Sequence, residues 1–154
     1  MKKLEFIILI DAPREKVWEI MLNEKYYREW TEIFSPGSHF VGSWSEGSKI
    51  HFLAPNKAGQ MSGMVSRVKE YRPYDYISIE HLGFVENGKE DTSSEAVKNF
   101  AGAHENYTLK DRVGNTELFV EMDTEDEYEE MFDNTWPKAL QKLKELTESQ
   151  AIKH

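Results

Sequence analysis

The stretch from Thr124 to Gln150, TEDEYEEMFDNTWPKALQKLKELTESQ, constrains the fold more than any other part of the chain. Apolar side chains recur at Tyr128, Met131, Phe132, Trp136, Ala139, Leu140, Leu143 and Leu146, a helical spacing. Thr124 and Glu127 stand at the separation of a capping box, which predicts the helix start. Pro137 removes one N–H and crowds the carbonyl of Asp133. It falls nearly opposite the apolar stripe, beside Glu130, Gln141 and Lys144, so the freed carbonyl faces water. One kinked helix is expected rather than two. The front of its stripe is bulky and aromatic, and the back is plain Leu and Ala. A helix that only seals a sheet needs no such front, whereas one that walls a cavity does. Ordinary core packing explains any single one of these residues equally well.

Nearly everything before this helix reads as strands. Leu4–Ile10 is apolar enough for a first strand buried on both faces or nearly so. Asp11-Ala12-Pro13 leads into a helix with proline at the first helical position, and Val17, Trp18, Ile20 and Met21 give that helix its apolar residues. A second short helix is expected over Glu24–Trp30. Strand signals follow at Ser38–Trp44, Lys49–Leu53, Met61–Tyr71 and Tyr74–Leu82. In YISIEH, Ile77, Ile79 and His81 share one face. Glu105–Lys110 and Thr116–Met122 read as a hairpin around Gly114-Asn115, with Thr116, Leu118, Val120 and Met122 toward the core. Between the last two strand pairs, Glu86–Ala103 is too long and polar for a tight turn. Thr92 and Glu95 offer capping-box spacing there, and Gly102 a stop, so a mobile flap with a short helix is expected, with disorder as the competing reading.

These elements predict an α+β fold. A curved antiparallel sheet of about six to seven strands grips a long C-terminal helix, and two short helices follow the first strand. The 154 residues suit one domain, 1–154, with a real core. Charged residues are 31% of the chain. FIILI at Phe6–Ile10 is far short of the ~20 residues that span a bilayer, and too short for a signal-peptide core. There is no cysteine, hence no disulfide or thiolate chemistry. A cytoplasmic location is therefore expected. A net charge of −9, from 19 basic and 28 acidic residues, argues against nucleic acid and anionic membrane surfaces as partners. Much of the acid lies in Glu121–Glu130, where carboxylates suit the positive end of a helix dipole.

The same residues resemble the START-like superfamily, also called SRPBCC, whose helix-grip fold is the architecture just described. The branch they look most similar to is the one related to activators of a heat-shock chaperone ATPase. The resemblance rests on IDAPREKVWEIML at 10–22, Trp30, GSWSEGSKIHF at 42–52, GMVSRVKEYRPYDYISIEH at 63–81, the Thr116–Val120 strand and TWPKALQKLKEL at 135–146. It covers nearly the whole chain, and its motifs are signatures of fold rather than catalysis. It implies a cavity between sheet and helix for apolar or amphipathic small molecules. Lipid carriers, hormone sensors, cyclases and chaperone activators share that fold, so fold alone selects no function. No role transfers to Glu86–Ala103, which is longer than in the simplest members.

The case for chemistry is thin. Five histidines, at 39, 51, 81, 104 and 154, form neither a His-Glu-x-x-His nor a His-x-His pattern, so no metal or other cofactor is expected. No nucleophile elbow or phosphate loop occurs. Glu80 and Glu105 are a possible carboxylate pair. His81 is either a satisfied core histidine or a group that meets a ligand. The binding case is stronger, because aromatics are 12% of the chain and include four tryptophans, with six methionines beside them. Trp30, Phe34, Trp44, Phe52, Met64, Ile79, His81, Phe84, Tyr107, Met131, Phe132 and Trp136 are the candidate ligand-binding residues, with Asn106 a further polar candidate. Binding of an apolar small molecule by a monomer or weak homodimer is the leading expectation. A cyclase or hydratase using His81 and Tyr107 as acid and base is the alternative, and a chaperone co-factor the third. The third is weakened by the lack of an obvious extra docking domain.

Overall fold

A computed structural model describes the backbone of residues 1–152 and the side chains of residues 1–150. His154 lies outside the described residues. The first strand, β1 (Lys2–Ile10), leads into helices α1 (Arg14–Leu22) and α2 (Glu24–Trp30). Strands β2 (His39–Gly42), β3 (Lys49–Pro55), β4 (Met61–Arg72), β5 (Tyr76–Glu86) and β6 (Lys89–Asp91) follow, then the short α3 (Glu95–Lys98). Strands β7 (His104–Arg112) and β8 (Asn115–Thr124), one 3-10 turn (Asp126–Tyr128) and the long α4 (Glu129–Ile152) complete the order. The strands form one antiparallel sheet in the order β1-β8-β7-β5-β4-β3-β2, with β6 paired to β5. The fold is the expected α+β helix grip.

Helix α4 runs unbroken through Pro137, which is exposed. A proline in a helix interior costs about 3 kcal/mol. Here the opposite face carries Trp136, Leu140 and Leu143 into the core. Each such burial contributes about 1.5–3 kcal/mol, so packing outweighs the proline. The helix starts later than its capping-box spacing predicts. Thr124 remains the last residue of β8, and its hydroxyl donates to the Glu125 carbonyl rather than accepting from the helix. The 3-10 turn occupies the intervening residues.

The start of α1 also departs from the expected chemistry. Pro13 is the residue before α1 rather than its first member, with extended φ and ψ of −69° and 157°. Its carbonyl accepts from the N–H groups of both Lys16 and Val17. Helix α2 is capped by Asn23, whose Oδ1 accepts from Lys25 N at 2.9 Å and Tyr26 N at 3.4 Å.

Strand β1 is not buried on both faces. It is an edge strand, so only its even-numbered side chains meet α4, while Ile7 on the outer face is 62% exposed. Its free backbone edge is partly covered by the helix. Lys144 Nζ donates to the Leu9 carbonyl at 2.9 Å, and Glu148 Oε2 accepts from Asp11 N at 2.9 Å. These contacts occupy backbone groups that would otherwise invite another strand.

Two bulges shape the sheet. Ser66 pairs with His81 while Val65 pairs with Gly83, leaving Leu82 as an extra residue in β5. Val68 pairs with Ile79 while Glu70 pairs with Ser78, leaving Lys69 extra in β4. A bulge adds local twist and reverses the in-out alternation beyond it. Ile77, Ile79 and His81 therefore point inward as expected, and after Leu82 the even-numbered Phe84 does so too.

The segment after β5 is folded onto the sheet. Asp91 Oδ1 accepts from the N–H groups of Ser93 and Ser94, so Asp91 holds the turn that the Thr92–Glu95 spacing was expected to cap. Val97 is fully buried, and with Val65 and Val85 it stands apart from the main hydrophobic cluster. Glu90 ties β6 back to β3 through Lys49 Nζ at 3.0 Å and His51 Nε2 at 2.7 Å. At Gly83 the chain passes so close that an added Cβ would lie 2.0 Å from the Asp91 carbonyl oxygen. Only glycine permits that approach.

Candidate functional site

The sheet does not close tightly over the front half of α4. A cavity of about 570 Å³ lies between them, within the range of about 300–1,000 Å³ typical of small-molecule sites. Its walls come from α2 and the loop after it, from β3, β4, β5, β7 and β8, from the 3-10 turn and from α4. Wide aromatic side chains hold these layers apart at one end, while the Leu and Ala end of α4 packs solid.

The structure brings Trp30, Phe34, Phe52, Met64, His81, Phe84, Tyr107, Met131, Phe132 and Trp136 to the cavity wall. Trp44 and Ile79 are not part of it. Trp44 donates its Nε1–H to the Leu22 carbonyl at 3.1 Å and packs on Phe40, tying the β2–β3 loop to α1. Ile79 sits in the main core farther along β5, 1% exposed. Asn106 is on the opposite face of β7, where its Oδ1 accepts from the Ser78 hydroxyl. Glu80 and Glu105 do not pair either, because Glu80 turns to the outer face and binds Arg67.

Trp136 is the hub of the aromatic wall. Its ring lies 4.9 Å from Phe34, 5.9 Å from Phe6, 6.1 Å from Tyr107 and 6.2 Å from Trp30, centroid to centroid. Stacked and tilted pairs at these separations each add about 0.5–1.5 kcal/mol beyond the area they bury. The Trp136 Nε1–H is buried with no acceptor among the described residues. Trp30, by contrast, donates to the Met21 carbonyl at 3.1 Å.

A polar chain crosses this apolar wall. Ser66 Oγ lies 2.7 Å from His81 Nδ1. His81 Nε2 lies 3.5 Å from Glu105 Oε1, and the Tyr107 hydroxyl donates to Glu105 Oε2. Burial pushes the Tyr107 hydroxyl well above the ordinary tyrosine value, and the Glu105 carboxylate raises it further. Burial does the same to Tyr27, again with Glu105 adding to it. Both phenols therefore stay protonated, and that of Tyr107 donates to Glu105. His81 is 4% exposed and stacks on Phe100 at 5.5 Å. Phe100 in turn stacks on Phe84 at 5.1 Å.

Phe100, Tyr27 and Met122 also line the cavity and are not among the candidate ligand-binding residues of the sequence, and Glu105, a candidate only as the partner of Glu80, lines it too. For Glu105 the signal was present. It is two residues from Tyr107 on a strand, and so shares its face. Phe100 carried no such signal, since its position depends on how the long β5–β7 connection folds back. Among the described residues, no group of His, Asp and Glu is arranged to hold a metal ion, and no helix is long and apolar enough to cross a membrane.

A curved sheet gripping a helix over an aromatic cavity defines a helix-grip domain of the START-like class, a class of ligand-binding domains. More narrowly, the chain belongs to the Activator of Hsp90 ATPase homolog 1-like protein family, whose model matches residues 11–148. A protein from Cytophaga hutchinsonii has a similar solved structure, with a TM-score of 0.72 at 20% identity, covering 98% of this chain and 97% of that one. One from Nitrosomonas europaea gives 0.72 at 12% identity, covering 97% and 96%. The Aha1 dimer from Colwellia psychrerythraea gives 0.66 at 16% identity, covering 94% of each chain. At these identities the likenesses show a common fold. No curated protein matches the chain.

Proposed function

We propose that this protein binds an apolar or amphipathic small molecule in the cavity between the sheet and the front half of α4. The observation that carries this reading is a 570 Å³ space walled by Trp30, Phe34, Phe52, Phe132 and Trp136, into which His81 on β5 and Glu105 and Tyr107 on β7 bring polar groups. Mostly apolar walls with a few placed polar groups are the usual composition of a ligand site. Native mass spectrometry of freshly purified protein tests it, together with quenching of tryptophan fluorescence by a library of lipids and aromatic compounds. Retained or saturably bound small molecules are expected. Failure of every compound to bind, with no retained mass, contradicts the reading.

A second reading is favoured by the chain from Ser66 through His81 and Glu105 to Tyr107. An imidazole, a carboxylate and a protonated phenol beside one cavity are the parts of an acid–base catalyst of the cyclase or hydratase kind. The His81→Ala variant separates the two readings. Turnover lost while binding persists supports the enzyme, and absence of turnover for any bound compound supports the carrier. The family relationship also supports a role as a chaperone ATPase co-factor, which stimulation of a host chaperone's ATPase tests. A weak homodimer is consistent with the dimeric Colwellia relative, and sedimentation at increasing concentration checks it.

A further inference from the structure

The electrostatics of the cavity narrow the chemistry of its guest. Two acidic side chains line it, Glu105 and Glu125, and no lysine or arginine does. Among the described residues neither is ion-paired to a lysine or arginine. Glu105 meets His81 and Tyr107, whereas the Asp123 carboxylate accepts from the His104 N–H on the outer face of β8, in a small polar pocket with Lys3, Asn106 and Glu121. Nearby lysines are engaged elsewhere, Lys2 with Glu129 and Lys3 with Glu121. His81 gives an anion little to hold, because Nδ1 faces Ser66 and Nε2 faces Glu105. The negative potential falls in a space with apolar, low-dielectric walls, where it is screened less than at an open surface. The aromatic faces around Trp136 add attraction for a cation, whose charge meets the negative face of a ring.

We infer that the guest is a cationic amphiphile, an apolar body carrying a protonated amine, which places its ammonium group at the Glu105 carboxylate. The inference rests on the cavity being the binding site. It excludes fatty acids and other carboxylates as preferred ligands. An amine donates up to three hydrogen bonds, and the Glu105 carboxylate in the cavity wall can accept them. A carboxylate of the same length faces repulsion from both acids.

The test is titration of tryptophan fluorescence with three probes that share one chain length and differ in head group: decylamine, decanol and decanoate, each below its micelle concentration at neutral pH. Competition by decanol restricts the reading to the cavity and removes amine adsorbed on the acidic surface. Decylamine should bind about tenfold or more tighter than decanol, and decanoate weaker than decanol, at low salt. The amine-over-alcohol ratio should fall several-fold in Glu105→Gln, which keeps an oxygen to accept from Tyr107. It should fall less in Glu125→Gln, which also serves if the first variant fails to fold. Equal binding of amine and alcohol, or tighter binding of decanoate, overturns the inference while decanol binding leaves the cavity reading intact. Binding of none of the three overturns both.

Discussion

Ser66 Oγ and His81 Nδ1 lie 2.7 Å apart on neighbouring strands, fully enclosed by the sheet, and this contact turns the other ring nitrogen of His81 toward Glu105. The bulge at Leu82 makes the contact possible by placing Ser66 directly opposite His81. The Ser66→Ala variant leaves a buried imidazole nitrogen unsatisfied. A loss of about 1–3 kcal/mol in urea unfolding is expected, together with weaker binding of any cavity ligand. Unchanged stability would show that the ring is held by its stack on Phe100 instead.

Trp136 combines a large apolar ring with an N–H that finds no partner among the described residues. In Trp136→Phe these terms oppose one another. The smaller ring leaves a gap that costs up to a few kcal/mol, and removing an unsatisfied donor returns about 1–3 kcal/mol. The net change should stay within about 1.5 kcal/mol. Trp136→Ala has no such offset and should lose about 3–5 kcal/mol. Equal losses for the two variants in denaturant unfolding contradict this account.

Val113 is completely exposed and sits at φ +58° in the two-residue turn of the β7–β8 hairpin, followed by Gly114 at φ +91°. A β-branched residue in the left-handed region costs about 1–2 kcal/mol. Asn-Gly is the pair that such a turn favours. Val113→Asn should therefore stabilise the fold by about 1 kcal/mol, seen as a higher melting temperature. A lower one would contradict the turn assignment.

The Lys144–Glu148 pair that covers the edge of β1 makes a pH-dependent contribution. The Lys144 ammonium group, helped by the Asp11 N–H, holds the Glu148 carboxyl below the usual glutamate range. A carboxyl with a lower value folded than unfolded contributes fully above the unfolded value of about 4.3. That contribution is lost as pH falls through the folded value. Glu148→Gln should therefore be less stable than the parent near neutral pH, and the gap should narrow toward about pH 3. A gap of the same size at both pH values would assign the effect to shape rather than charge.

Much of this architecture was legible in the residues because it rests on periodicity. The stripe from Trp136 to Leu143 predicts the packed face of α4, and YISIEH predicts the inward turn of His81. What escaped were features set by long-range geometry. The bulge at Leu82 and the return of Phe100 onto His81 depend on strand pairing and chain crossing, which no local pattern encodes. Tyr128 and Met131 follow the helical stripe, yet they remain 45% and 49% exposed, because they line the cavity rather than the packed core. Ile7 and Leu9 look like core by composition alone, but an edge strand with no layer outside it leaves them in water.

The six methionines offer the most direct test of a guest between sheet and helix. Met64, Met122 and Met131 line the cavity, whereas Met1, Met21 and Met61 do not. With methyl-labelled methionine, saturating decanol should shift the NMR signals of the first three and leave the other three in place. Shifts confined to Met1, Met21 and Met61, or no shifts at all, would contradict an interior binding site.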